Sequence, residues 1–130
     1  MGMFFVRSKV GSLGESLGCR YLRDKGYKIV ETNYCNTTGR RLGEIDIVAK
    51  KSGKIIFVEV KTRVSDETGN KILPEAAITS DKLHKLERIA AYYLRERKQL
   101  SMPYAFDALS IVYDSVSKKA DIRHLESIFL

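Results

Sequence analysis

Residues 43–62 read GEIDIVAKKSGKIIFVEVKT, and this stretch decides the fold. Two runs rich in β-branched residues, Gly43 to Lys50 and Lys54 to Thr62, flank Ser52-Gly53, a pair suited to a tight hairpin turn. The second run is apolar enough for a strand covered on both faces, yet Glu59 and Lys61 lie inside it. Strand alternation puts Ile55, Phe57, Glu59 and Lys61 on one face and Ile56, Val58 and Val60 on the other. In the first run Glu44, Asp46 and Val48 share a face, and Ile45, Ile47 and Ala49 share its opposite. A turn at Ser52-Gly53 sets Lys51 against Lys54. The same register sets Asp46 against Glu59 and Glu44 against Lys61, at about 4.5–5.5 Å.

Working outward, Ser12 to Lys25 reads as a helix. Ser12 and Glu15 fit a capping box, and Gly26 stands where a left-handed C-terminal cap belongs. Gly14 and Gly18 inside it predict a helix whose backbone packs close to something, because each costs about 1 kcal/mol against Ala. Tyr27 to Tyr34 is a strand, and Cys35 to Leu42 a turn-rich connection carrying Arg40 and Arg41. Val64 to Thr79 is a long loop. Asp81 to Lys98 is a second helix with Leu83, Leu86, Ala90, Tyr93 and Leu94 as its apolar stripe. Phe106 to Tyr113 and Ala120 to Phe129 supply a final hairpin. The order α-β-β-β-α-β-β predicts one α/β domain over residues 1–130, a mixed sheet of about five strands flanked by helices.

The composition suits a globular protein: 130 residues, 44% hydrophobic and 30% charged. No apolar run approaches the roughly 20 residues of a membrane span. The opening residues are broken by Arg7 and Lys9 and do not read as an export signal. Cys19 and Cys35 are too few for a disulfide framework or a four-thiolate zinc site, so a reducing cytoplasm is expected. The net charge is +7, and all of the excess lies before residue 65, where 13 Lys/Arg face 6 Asp/Glu. A basic half suits nucleic acid, since each phosphate contact releases a counterion.

Two opposed carboxylates weaken a sheet unless a cation lies between them. Oxygen ligands on neighbouring strands suit Mg²⁺ or Mn²⁺. A lysine two residues along, Lys61, stands about 6–7 Å farther on, placed for a phosphate oxygen, an attacking water or transition-state charge. Together Asp46, Glu59 and Lys61 predict a phosphodiester-hydrolysing site. The alternative is an edge strand whose charges pair across the hairpin, Glu44 with Lys61. Acid-x-Lys is weak by itself; a similar tripeptide, Glu96-Arg97-Lys98, reads as a solvated helix face. Glu15 completes the capping box or turns inward with Gly18, Cys19 and Leu22.

Gly14-Glu15, Gly43-Glu44-Ile45-Asp46, Phe57-Val58-Glu59-Val60-Lys61-Thr62-Arg63, Pro74-Glu75-Ala76 and Phe106-Asp107 together resemble the YraN-like family of small bacterial proteins. The resemblance covers nearly the whole chain. That family is similar in fold to restriction endonucleases and archaeal Holliday-junction resolvases, the PD-(D/E)XK nuclease class. The resemblance implies that Asp46, Glu59 and Lys61 take the places of the catalytic acid, second acid and lysine. It implies that Glu15 takes the place of a helix-borne acid, a third candidate metal ligand. It also implies DNA, branched or damaged, as substrate, and a homodimer. Ile45 stands where the class name has Pro.

Other residues divide between binding and bland roles. Arg40, Arg41 and Arg63 are candidates for phosphate contacts, or simply solvated. Lys85, Arg88, Tyr92 and Arg95 form a polar helix stripe able to track a backbone, or an ordinary solvated face. His84 and His124 read as isolated. There is no nucleophile elbow and no phosphate-binding glycine loop. The rival to a metal-dependent endonuclease is a nucleic-acid-binding module that keeps the nuclease fold without turnover; a structural protein with an acidic partner is the third reading.

Overall fold

The hairpin around Ser52-Gly53 forms in the register expected. In the computed structural model, which describes residues 9–65 and 79–128, β2 (Glu44–Lys51) and β3 (Lys54–Ser65) pair antiparallel from Lys51↔Lys54 to Ile47↔Val58. Ser52 and Gly53 both take positive φ, 53° and 75°, the turn that matches the twist of its strands. β1 (Lys28–Cys35) pairs antiparallel with β2 on the outer side. β4 (Tyr104–Asp114) runs parallel to β3 through eleven residue pairs, and β5 (Lys119–Leu125) returns antiparallel to it. Among the described residues the result is one mixed sheet, ordered β1-β2-β3-β4-β5, with helix α1 (Lys9–Asp24) on one face and α2 (Ser80–Glu96) on the other. The chain order α-β-β-β-α-β-β is the arrangement expected of the restriction-endonuclease-like class.

β3 supplies both cores. Ile55 and Phe57 pack with Leu86, Ile89, Tyr93 and Leu94 of α2, while Ile56 and Val58 pack with Cys19 and Leu22 of α1. The buried stripe of α2 includes Ile89, whereas Leu83, expected in it, is only half-buried. Ile45 departs from alternation and joins the α2-side cluster with Val48. It lies beyond the end of the β2–β3 ladder, paired with Tyr34 of β1, which belongs to the same α2-side cluster.

α1 begins at Lys9, so Ser12 is inside the helix and the capping-box reading of Ser12 and Glu15 fails. Its end is as expected: Gly26 has φ +93°, its N–H donates to Arg23 O at 3.0 Å, and Tyr27 N–H donates to Leu22 O at 2.9 Å. Gly14 and Gly18 are the close approach. A methyl group at 14 would lie 1.8 Å from Thr62 Oγ1, and one at 18 would lie 3.2 Å from Leu109 Cδ1. Glycine lets α1 lie directly on β3 and β4.

β3 runs to Ser65, past the Thr62 end expected, because its parallel pairing with β4 continues to Ser65↔Asp114. The rest of the expected long loop, with Pro74-Glu75-Ala76, lies outside the described residues. α2 is capped by Thr79, whose Oγ1 accepts from Lys82 N–H at 3.2 Å. At its far end the Tyr34 hydroxyl donates to Glu96 Oε1 at 2.6 Å, and Arg97 pairs with Glu31 at 2.5 Å. These contacts tie the end of α2 over β1, and its first turns lie over the end of the β2–β3 ladder. No described helix is long and apolar enough to cross a membrane.

Candidate active site

The β2–β3 ladder stops one pair short of Asp46 and Glu59. In place of a backbone acceptor, Asp46 Oδ2 accepts the Val60 N–H at 2.7 Å. The two strands part here, and the gap is a cleft of about 330 Å³ lined by Gly43, Glu44, Asp46, Glu59, Lys82 and Lys85. The sheet therefore brings the two acids together, as the register implied. Burial, then the Glu59 carboxylate beside it, push Asp46 up to about 8, and the Val60 N–H pulls the other way. Near neutral pH Asp46 keeps its proton and shares a hydrogen bond with Glu59. Glu59, a buried residue, also receives an ion pair from α2: Lys82 Nζ stands 2.5 Å from Glu59 Oε2.

Lys61 lies two residues beyond Glu59 on the same strand face and is half-buried beside Ser110 of β4, but it is not among the residues lining this cleft. Its expected pairing opposite Glu44 does not occur, since β2 and β3 have separated. Glu44 pairs instead with Cys35 of β1, and Arg41 Nη2 stands 3.9 Å from its carboxylate. Glu15 projects from α1 into a different cleft, with Ser16, Cys19, Arg23 and Asn33. Its Oε1 accepts from Asn33 Nδ2 at 3.0 Å. Asn33 falls between the pairs Thr32↔Ile47 and Tyr34↔Ile45, at the register position opposite Asp46, and has φ 55°. Among the described residues no group of three or more His, Cys, Asp or Glu side chains converges as a metal-holding cluster.

The basic residues adjoin the cleft. Lys85 lines it, and Arg88 is exposed one turn on. The Arg40–Arg41 loop is organised by Asn36, whose amide donates to Thr38 O and Arg40 O at 2.9 and 2.8 Å and whose Oδ1 accepts from Leu42 N–H. Thr38 Oγ1 is 2.8 Å from the Tyr92 hydroxyl, which joins this loop to the polar stripe of α2. Arg63 is exposed, with Nη1 donating to Thr62 O at 3.3 Å.

The comparisons with known proteins agree with the motifs that these elements carry. Residues 14–111 match the model of an uncharacterised protein family, UPF0102. The chain belongs to this family. It is the YraN-like family that the motifs resemble. A family member from Syntrophomonas wolfei is 39% identical over 124 residues, 95% of this chain and 100% of the relative. One from Alkaliphilus metalliredigens is 36% identical over the same shares, and one from Syntrophus aciditrophicus is 39% identical over 79% of this chain and 76% of its own. The matched segment contains Glu15, Asp46, Glu59, Lys61, Lys82 and Lys85.

Two features were missed from the sequence. Lys82 was absent from the candidates, although it sits one turn before Lys85; which turn of α2 meets β3 is decided by docking. His124, read as isolated, has Nε2 at 2.7 Å from Asp107 Oδ2 and Nδ1 at 3.2 Å from the Tyr21 hydroxyl. Asp107 Oδ1 accepts from Ser127 N–H at 3.0 Å. This network faces α1, away from the cleft.

Proposed function

We propose that this protein is a metal-dependent endonuclease acting on DNA, with branched or damaged DNA as its substrate class. The carrying observation is the carboxyl pair Asp46–Glu59, held in contact where β2 and β3 part. The donors fit a hard divalent cation: they are oxygens, they lie on adjacent strands, and the burial and the neighbouring Glu59 carboxylate that raise Asp46 are penalties on its anion that a cation would offset. Asp46 and Glu59 would hold Mg²⁺ or Mn²⁺, which would supply charge neutralisation and an acidified water. Lys61, farther along the same face, orients the attacking water and meets charge growing on the phosphate. The water oxygen forms the new bond to phosphorus, the bond to the leaving oxygen breaks, and a water proton ends on that oxygen. Glu15, bonded to Asn33 in its own cleft on the α1 side, is assigned no contact with the cation. Lys85, Arg88, Arg40, Arg41 and Arg63 grip the phosphate backbone, and a homodimer would present two such clefts to one substrate.

A specific observation favours the second reading, a binding module without turnover: Lys82 already neutralises Glu59. One experiment separates them. The protein is incubated with four-way, single-stranded and duplex DNA in Mg²⁺, Mn²⁺ or chelator. The endonuclease cleaves at least one substrate, with metal, and Lys61→Ala binds that DNA without cleaving it. Metal-independent binding without cleavage selects the module, and full cleavage by Lys61→Ala removes the mechanism.

A further inference from the structure

We infer that Lys82 is a positioning residue that competes with the divalent cation for Glu59 and, once displaced, turns to a phosphate oxygen of the nucleic acid, an inference that rests on the metal-site reading of Asp46 and Glu59. The contact is direct, Nζ to Oε2 at 2.5 Å. A cation on either Glu59 oxygen, at about 2.0–2.1 Å for Mg²⁺, would stand close to the ammonium on Oε2, where like charges repel.

The two partners differ in freedom. The Glu59 side chain is 8% exposed and fixed in the central strand, whereas that of Lys82 is 34% exposed. The Lys82 backbone is held by its N–H bond to the Thr79 cap, so displacement needs a change of rotamer and leaves the helix intact. Lys82 also lies in the first turn of α2, where the helix dipole disfavours a cation. Its ammonium therefore loses its carboxylate partner once a metal takes over and turns to the open side of the cleft. A backbone phosphate entering the same cleft supplies a new partner, beside Lys85, which already lines it. Metal loading and phosphate grip are thereby coupled through one side chain.

The test measures Mn²⁺ affinity without DNA, by titration followed by electron paramagnetic resonance, for wild type, Lys82→Met, Lys82→Gln, Lys85→Met and Asp46→Asn. Lys82→Met and Lys82→Gln should bind Mn²⁺ at least tenfold more tightly than wild type, with a smaller change in Lys85→Met. In a second titration, with duplex DNA, Mn²⁺ should tighten wild-type binding more than that of Lys82→Met. Equal or weaker Mn²⁺ affinity in both Lys82 variants overturns the competition while leaving the metal site standing. Mn²⁺ binding that is absent throughout, or undiminished in Asp46→Asn, overturns the metal site and this inference with it. A Mn²⁺ effect on DNA binding identical in wild type and Lys82→Met overturns the transfer to phosphate.

Discussion

Glu59 and Asp107 are buried acids on neighbouring strands, one register step apart, and they live differently. Asp107 pairs with Val58 in the β3–β4 ladder and faces α1; Glu59 follows Val58 and faces α2. Each Asp107 oxygen has its own partner, His124 Nε2 and the Ser127 N–H, and the Tyr21 hydroxyl completes the set at 3.2 Å from His124 Nδ1. Glu59 has an ammonium on one side and another carboxyl on the other. The first arrangement satisfies a buried charge with hydrogen bonds and holds β5 and the following chain to α1. The second holds two carboxyls together in a cleft, compensated by a shared proton and by one half-exposed ammonium. A buried acid by itself thus says nothing of function; how exchangeable its partners are does.

The largest effect is expected at the satisfied acid. Asp107→Ala strands His124 and the Ser127 N–H, and should cost about 3 kcal/mol in urea unfolding, equally with Mn²⁺ or chelator. A loss that metal restores would erase the contrast. Next comes the carboxyl pair. Wild type should gain about 2.7 kcal/mol when Mn²⁺ is at a hundred times its dissociation constant, and Asp46→Asn should gain almost nothing. Without metal Asp46→Asn should melt at or above the wild-type temperature, because its amide oxygen still accepts the Val60 N–H, its amide N–H can donate to Glu59 as the Asp46 proton does, and no buried anion forms as pH rises. A clearly destabilised, metal-indifferent Asp46→Asn would place this acid with Asp107.

The pH dependence follows from the same pair. Asp46 is raised from 3.8 to about 8, so the native state binds more protons than the unfolded chain between those values. Metal-free stability is greatest below the unfolded value and is lost as pH rises through the folded one. The unfolding free energy of wild type should fall as pH rises from about 5 to about 8, and fall less in Asp46→Asn. Equal slopes in the two proteins would assign the dependence elsewhere. The smallest effect is at the rim: Arg40→Ala with Arg41→Ala should lower the salt slope of duplex binding by up to about 0.9 per lost phosphate contact. An unchanged slope would remove this loop from the DNA surface.

Much of this was legible in the sequence because it is local. The β2–β3 register follows from a two-residue turn, so the approach of Asp46 to Glu59 could be worked out from 14 residues of chain. Gly14 and Gly18 marked a close approach, and Gly26 a helix end, because glycine's backbone freedom and missing side chain act where the residue stands. Strand alternation assigned Ile55 and Phe57 to one core and Ile56 and Val58 to the other. What the sequence could not settle depends on docking between distant elements. The start of α1 at Lys9 removed a cap that looked sound on residue type alone. Lys82 reaches Glu59 because α2, tied to β1 at its far end, lays its first turn over the parting strands. Asn33 of β1 meets Glu15 of α1 across 18 residues, and Asp107 finds His124 across 17. Sequence thus determined which charged groups share a strand face and approach across the hairpin; the tertiary structure decided which of them have partners, since an ion pair or hydrogen bond across about 3 Å is fixed by how helices seat on the sheet, which no local pattern records.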